Sequence, residues 1–305
     1  MKQFLRFSFI VVLIVGLITS LEVSVRADTS DSINEKLGVP IVVYGDNLTE
    51  EQRAETRELL DVTDPEMVDE YNVTGEDLAN YIGGNPSARM FSSAKITMKE
   101  KGEGLTINIV TPENITEVTS EMYANALLTA GVEDAVVDVA SPVTVSGHSA
   151  LTGIYKAYDA EGVELDKERM ELASEELDLA TDFAEKEGLS QEKVSELLTE
   201  IKKAIAEQKP ATVEDIERIV QEQLDKMEIS LSEEDRQLLI NLFEKMRDLN
   251  IDFDQVKNQL NDIASKVQEQ LGDLINDEGF WNKVGNFFSS FFKSIGDFFK
   301  GLFNE

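Results

Sequence analysis

The sequence has no cysteine, one histidine and one tryptophan in 305 residues. Without cysteine there is no disulfide scaffold, no thiolate-bound zinc, no iron–sulfur centre and no thiol nucleophile. With a single imidazole, His148, any mechanism that needs two is excluded. Basic residues are scarce as well. Lysine and arginine total 28 against 60 aspartates and glutamates, a formal net charge of −32. A chain this acidic repels phosphate, so nucleic acid is not expected as a partner. There is no glycine-rich phosphate loop. Long apolar runs are almost missing too, with one exception at the amino terminus.

That exception is residues 7–21, FSFIVVLIVGLITSL. Lys2 and Arg6 precede it, and Val25-Arg26-Ala27 follows with small residues at the two positions a signal peptidase reads. The layout is that of a secretory signal peptide spanning residues 1–27, cleaved after Ala27. The run is short for a membrane span, although an uncleaved anchor stays open as the alternative. No cysteine follows it, which excludes a lipoprotein anchor. Cleavage removes three basic side chains and one acidic one (Lys2, Arg6, Arg26 and Glu22), so the exported chain is more acidic still. Export without cysteine fits a bacterium with one membrane. The expected location is extracellular, in association with the outer face of the cytoplasmic membrane or the cell wall. Asn-x-Thr triplets begin at Asn47, Asn72 and Asn114. In such a cell they read as helix starts capped by Thr49, Thr74 and Thr116.

Composition changes near residue 160. Before it, short β-like runs alternate with helical patterns. Pro40-Ile41-Val42-Val43-Tyr44 reads as a buried strand, Thr49 with Gln52 as a capping box for a helix to Leu60, and Asp64-Pro65 as the start of a short helix. Residues 74–82 read as a third helix. Residues 93–99 and 105–111 alternate in polarity around Lys101-Gly102-Glu103-Gly104 and predict a β-hairpin. Residues 116–130 predict a helix stopped by Gly131, residues 134–140 a strand, 142–145 a short one, and 149–158 a helix. The fold class is therefore α+β, a small mixed sheet with helices, over residues 28–160. Residues 161–277 predict a helical domain with helices near 163–187, 190–208, 212–228, 232–249 and 252–275. Thr212 with Asp215 and Ser232 with Asp235 cap two of them, and Asp252 opens the last. In that last helix Val256, Leu260, Ile263, Val267, Leu271 and Leu274 form a stripe for packing on other helices.

Residues 278–305 stand apart. Eight of the chain's 15 phenylalanines and its only tryptophan lie within 279–303. At ~100° per residue, Phe280, Trp281, Val284, Phe287, Phe288, Phe291, Phe292, Ile295, Phe298, Phe299, Leu302 and Phe303 fall within an arc of roughly 160°. The other face carries Asn, Lys, Gly, Ser and Asp, and Lys283, Lys293 and Lys300 outnumber Asp297. This predicts a terminal amphipathic helix. Its apolar face is expected to dock on a membrane surface or a protein partner, or to drive self-association.

Catalytic patterns fail on inspection. Gly147-His148-Ser149-Ala150-Leu151 resembles a nucleophile elbow but ends in Leu151 where glycine is needed, and its histidine neighbours the serine. Ser149 reads instead as the cap of the following helix. Asp248, Asn250, Asp252 and Asp254 resemble the start of a calcium loop, but Phe253 and Gln259 occupy the glycine and glutamate positions. No catalytic, metal or cofactor residue is assigned, and no cofactor is expected. The candidate loop site is the pair of strand ends Thr111-Pro112-Glu113-Asn114 and Ser141-Pro142, with Ser146-Gly147 following.

Several blocks resemble a family of secreted Gram-positive proteins, the domain of unknown function 1002. They are Ser92-Ser93-Ala94, Thr111-Pro112-Glu113-Asn114-Ile115-Thr116, Asn125-Ala126-Leu127, Ala140-Ser141-Pro142-Val143 and residues 149–157, with residues 42–53 upstream. The resemblance covers most of residues 39–270. It implies export from a Firmicute-like cell and no activity. The expected function is an exported, non-enzymatic, envelope-associated binding or interaction protein. The alternative is an extracellular hydrolase of cell-wall polymer using a carboxylate pair.

Overall fold

The computed structural model describes residues 37–186 and 189–276. The expected signal peptide, its expected cleavage point and the tail, with its apolar residues Trp281, Val284, Phe287, Phe288, Phe291, Phe292, Ile295, Phe298, Phe299 and Leu302, lie outside the described residues.

The chain is α+β, with one five-stranded mixed sheet. Strand β1 (Ile41–Gly45) is buried throughout. Thr49 then caps helix α1 (Glu50–Leu59) in a capping box with Gln52. Asp64 accepts from the Glu66 amide to start a single turn, Pro65–Met67, and leads into β2 (Asp69–Val73). Thr74 and Asp77 form the box of α2 (Gly75–Ile82), which Gly83 ends in the left-handed conformation. Strands β3 (Ser93–Met98) and β4 (Leu105–Ile109) follow, then α3 (Ser120–Ala130), β5 (Ala135–Ala140) and α4 (Ser149–Ala160).

The strand order is β2-β1-β3-β5-β4. Only β3 runs antiparallel to its neighbours. The expected β3–β4 hairpin does not form, because β5 inserts between the two strands. Ile96 and Ile107 both pair with Val137, from opposite sides. The loop between β3 and β4 is long enough to pass the start of β5, and Asp134 organises it. Its carboxylate accepts the Gly102 and Gly104 amides at 3.0 and 2.7 Å, and both glycines have positive φ. Two further expectations are corrected locally. Thr116 caps nothing; helix α3 starts four residues later with Thr119 at its cap. His148, not Ser149, stands at the N-cap of α4, without a side-chain capping bond.

Strand β2 is absent from the sequence reading. Its sequence, DEYNV, is polar because it is an outer strand paired only with β1. Glu70 and Asn72 point at α1, where Arg57 grips Glu70 through two bonds of 2.9 Å and Arg53 meets Asn72. Arg53 also lies 4.1 Å from the centre of the Tyr44 ring. Burial, and then the bond to Glu70, pushes the Tyr44 phenol up to about 12. Burial alone would raise Glu70, but the bonds from Arg57 and Tyr44 and the charges of Arg57 and Arg53 outweigh it and hold the carboxyl below its usual value. A carboxyl lowered in the folded state stabilises above its unfolded pKa, and the contribution drains away as pH falls through the folded pKa. Glu70→Gln is therefore expected to cost about 1–3 kcal/mol at neutral pH and nothing at a pH below the folded pKa of Glu70, where both residues are uncharged. Urea midpoints at the two pH values check this; an equal loss at both would mean packing, not charge, is at stake.

The helical half comprises α5 (Lys167–Lys186), α6 (Gln191–Gln208), α7 (Val213–Lys226), α8 (Glu233–Asp248) and α9 (Lys257–Asn276). The predicted caps Thr212 and Ser232 each accept the expected amide, and Ser190 caps α6 in the same way. Asp252 does not open the last helix. It accepts the Asp254 amide in a turn that buries Phe253, and α9 begins at Lys257. The core runs on past the composition change near residue 160: Val137, Leu127, Phe183, Leu197, Phe243 and Leu260 belong to one apolar cluster. At its centre is α3, buried from Glu121 to Ala130, with β4 on one side and α5, α6 and α9 around it. Each large apolar side chain so withdrawn from water contributes ~1.5–3 kcal/mol.

The topology gives the body two distinct ends. Strands β1, β2, β4 and β5 all point the same way, and β1 is entered from residue 40 at their amino end. Helix α9 runs along the same direction. Gln259 touches Leu105 at the start of β4, and Gln270 touches Glu121 near the start of α3. Residue 276, the last of α9, thus lies beyond the carboxyl ends of the strands.

Candidate functional site

The predicted loops meet at that carboxyl end. The Thr111 hydroxyl accepts the Ser141 amide at 2.9 Å, and the Asn114 carboxamide donates to the Ser141 carbonyl at 2.8 Å. Ile115 pairs with Val145 in an isolated parallel bridge, and the amides of Val145 and Thr116 cross between the loops. Ser141 turns its hydroxyl back onto the Val143 carbonyl at 2.7 Å. Beneath, the buried Tyr123 phenol donates to the Gly147 carbonyl at 2.6 Å, and its burial raises it well above the usual phenol range. Gly147 sits at φ 111°, and a Cβ there would lie 2.8 Å from both Ile115 Cγ2 and the Tyr123 hydroxyl, so a side chain would be strained in backbone and in space. The loops come together, and Thr111, Asn114 and Ser141 bond one another. Pro112 and Glu113 are exposed, and Pro142 and Ser146 half-buried, around a latch that fixes the ends of β4 and β5.

His148 belongs to this end. Its Nδ1 lies 3.1 Å from the Ser146 hydroxyl, and its Nε2 lies 3.3 Å from Thr181 Oγ1 and 3.4 Å from Asp178 Oδ1. Serine, histidine and aspartate touch in order, but serine and histidine are two residues apart on one loop. The aspartate is 67 % exposed, so its charge is well screened. The contacts tie the start of α4 to α5. Ser149 lies in the first turn of α4.

Deeper in, α3 carries a polar spine that the sequence reading missed. Lys202 of α6 and Glu176 of α5 are fully buried with charged groups 2.5 Å apart. Lys202 also donates to the Asn125 carbonyl at 2.8 Å and to the Thr129 hydroxyl at 2.9 Å. Thr129 in turn donates to Glu176 at 2.6 Å, and Asn125 to Thr199 at 2.9 Å. Arg169 completes the set by donating to the carbonyls of Thr129 and Leu128 at the end of α3. Burial lowers Lys202 below its usual range against the opposing pull of Glu176. A signal was available: Lys202 follows Val194 and Leu198 at helical spacing, and Glu176 sits between Leu172 and Ala180, each an ion on an otherwise buried row.

Among the described residues no group of three or more histidines, aspartates or glutamates is placed to hold a metal ion. Asp254 of the calcium-like segment bonds Lys209 at 2.6 Å. A groove of about 340 Å³ does open beside β4, between that strand, α3 and α9.

The chain belongs to the family described as "Protein of unknown function (DUF1002)", which matches residues 44–263. Among curated proteins it is similar to "Uncharacterized protein YpuA" of Bacillus subtilis (strain 168), a Gram-positive bacterium. The two are 31 % identical over 210 residues, 67 % of this chain and 70 % of the relative. No solved structure matches it. The blocks that carry the family resemblance fall on the latch (Thr111, Asn114, Ser141), on the α3 spine (Asn125) and along α4.

Proposed function

We propose that this chain is an exported, non-enzymatic binding protein of the cell envelope, whose residues 279–303 dock on a membrane surface. The observation that carries the reading is a mismatch of surfaces. The tail sequence offers twelve large apolar residues on one helical arc. The described body exposes only four large apolar side chains, Met67, Val110, Val163 and Leu238, on four separate segments. The described body therefore presents no apolar patch of matching size, and such an arc in water needs a cover. A bilayer interface supplies one, at ~1.5–3 kcal/mol for each side chain withdrawn from water. Export places an outer membrane face within reach of an acidic, cysteine-free body, and the lysines on the tail's polar face suit anionic headgroups.

Vesicle flotation tests this. Residues 28–305 are expected to float with phosphatidylglycerol vesicles and residues 28–278 to stay in the dense fraction. A shift of Trp281 emission to shorter wavelength should accompany binding. Equal flotation of the two chains would remove the membrane reading.

A further inference from the structure

Among the described residues strand β4 is the last of the sheet, and one edge of it has no strand beside it. The Val110 amide donates to the Val139 carbonyl at 2.8 Å, so alternation turns the amides of Thr106 and Asn108 toward β5 as well. The amides and carbonyls of Leu105, Ile107 and Ile109 therefore face the open edge. Such an edge is a template for another strand unless it is blunted by charge, proline or a bulge. β4, with the sequence LTINI, has none of these.

One outward amide has a partner that imitates a strand. Leu105 donates to the side-chain oxygen of Gln259 on α9 at 2.8 Å, so a carboxamide holds the place of a peptide carbonyl. The outward amides of Ile107 and Ile109 meet no side-chain partner among the described residues. The groove of about 340 Å³ lies along the first part of this edge, from Gly104 to Ile107. Ala124, Leu128 and Ile263 give it apolar walls. Glu103, Glu121 and Asp262 bring three carboxylates against the single ammonium of Lys266. Asp262 and Lys266 form no ion pair among the described residues.

We propose that the groove between β4 and α9 binds an extended, basic peptide by strand addition. Backbone bonds to Ile107 and Ile109 supply the register. Apolar side chains of the peptide meet Ala124, Leu128 and Ile263, and lysine or arginine side chains answer the carboxylates of Glu103, Glu121 and Asp262. The groove is at the small end of ligand-sized clefts.

The test uses residues 28–305 labelled with ¹⁵N and an acetylated heptapeptide alternating lysine and valine. Saturable shifts are expected at the amides of Leu105, Ile107 and Ile109. The same peptide N-methylated on its edge-facing amides should not bind, and a glutamate–valine version should bind at least tenfold more weakly. Gln259→Ala, which removes the competing carboxamide, should tighten binding several-fold. Equal binding of the N-methylated peptide would overturn strand addition, and equal binding of the acidic peptide would overturn the charge assignment. Ile107 and Ile109 amides already protected without peptide would also overturn it. Protection that rises with protein concentration would give the edge to a second copy, and protection lost on removing residues 279–305 would give it to the tail.

Discussion

Replacing Lys202 with methionine is expected to lower the unfolding temperature by roughly 10–15 °C, from a loss of about 3–5 kcal/mol. The ammonium is fully buried and meets Glu176, the Asn125 carbonyl and the Thr129 hydroxyl. Removing it leaves a carboxylate in the core with no opposite charge, and the cost of that stranded charge exceeds the net worth of the pair. The double variant Lys202→Met/Glu176→Leu should therefore recover most of the loss, because it removes both desolvated charges together. Calorimetry on the two single variants and the double closes the cycle. A double variant as unstable as the sum of the singles would show that the spine earns its place through hydrogen bonding to α3, not through charge pairing.

The second large effect is expected at Gly45, the last residue of β1. A Cβ there would lie 2.4 Å from the Met90 carbonyl oxygen, 2.6 Å from its carbon and 2.8 Å from Phe91 Cα, all backbone atoms. The Met90 segment cannot retreat. Its carbonyl accepts from the Asn47 amide at 3.0 Å, and its amide donates to the Asn47 side chain at 2.7 Å. Gly45→Ala should cost about 3 kcal/mol or more, at the upper end for overpacking. Gly83→Ala is the control. Its φ is 68° but its Cβ would meet nothing within 4 Å, so only the left-handed backbone cost of about 1–2 kcal/mol applies. Urea midpoints that place Gly83→Ala as the worse of the two would contradict the packing account.

What could be read from the sequence was what is decided locally. Thr49, Thr74, Thr212 and Ser232 cap helices because a hydroxyl and an amide three residues apart need no other information. The helices of the second half follow, with boundaries shifted by a few residues. The failures are tertiary. Residues 93–98 and 105–109 look like a hairpin until β5, encoded some thirty residues later, takes the place between them. β2 looks like a polar loop because its side chains are matched to arginines on α1 and its backbone to β1. Thr116 loses its capping role to Thr119 because residues 112–118 are used to bridge Ile115 to Val145. The sequence marked two strand ends that could line a small site, but not that they meet. That its polar atoms serve one another was not legible, since bond partners across Thr111 and Ser141 have no periodic signature. The groove beside β4 could not be foreseen without the correct strand order, which alone reveals that β4 is an edge.

The two ends of the sheet also have a mechanical meaning. Residue 40 leads into β1 at one end and residue 276 closes α9 at the other, so a pull between residues 37 and 276 acts nearly along the strands. Strand β1 sits between β2 and β3. To leave, it would have to slide past both neighbours, straining its rows of hydrogen bonds together instead of opening them one after another. The capped helices of the second half offer no such rows and would yield first, leaving the sheet as the part of the body that bears load.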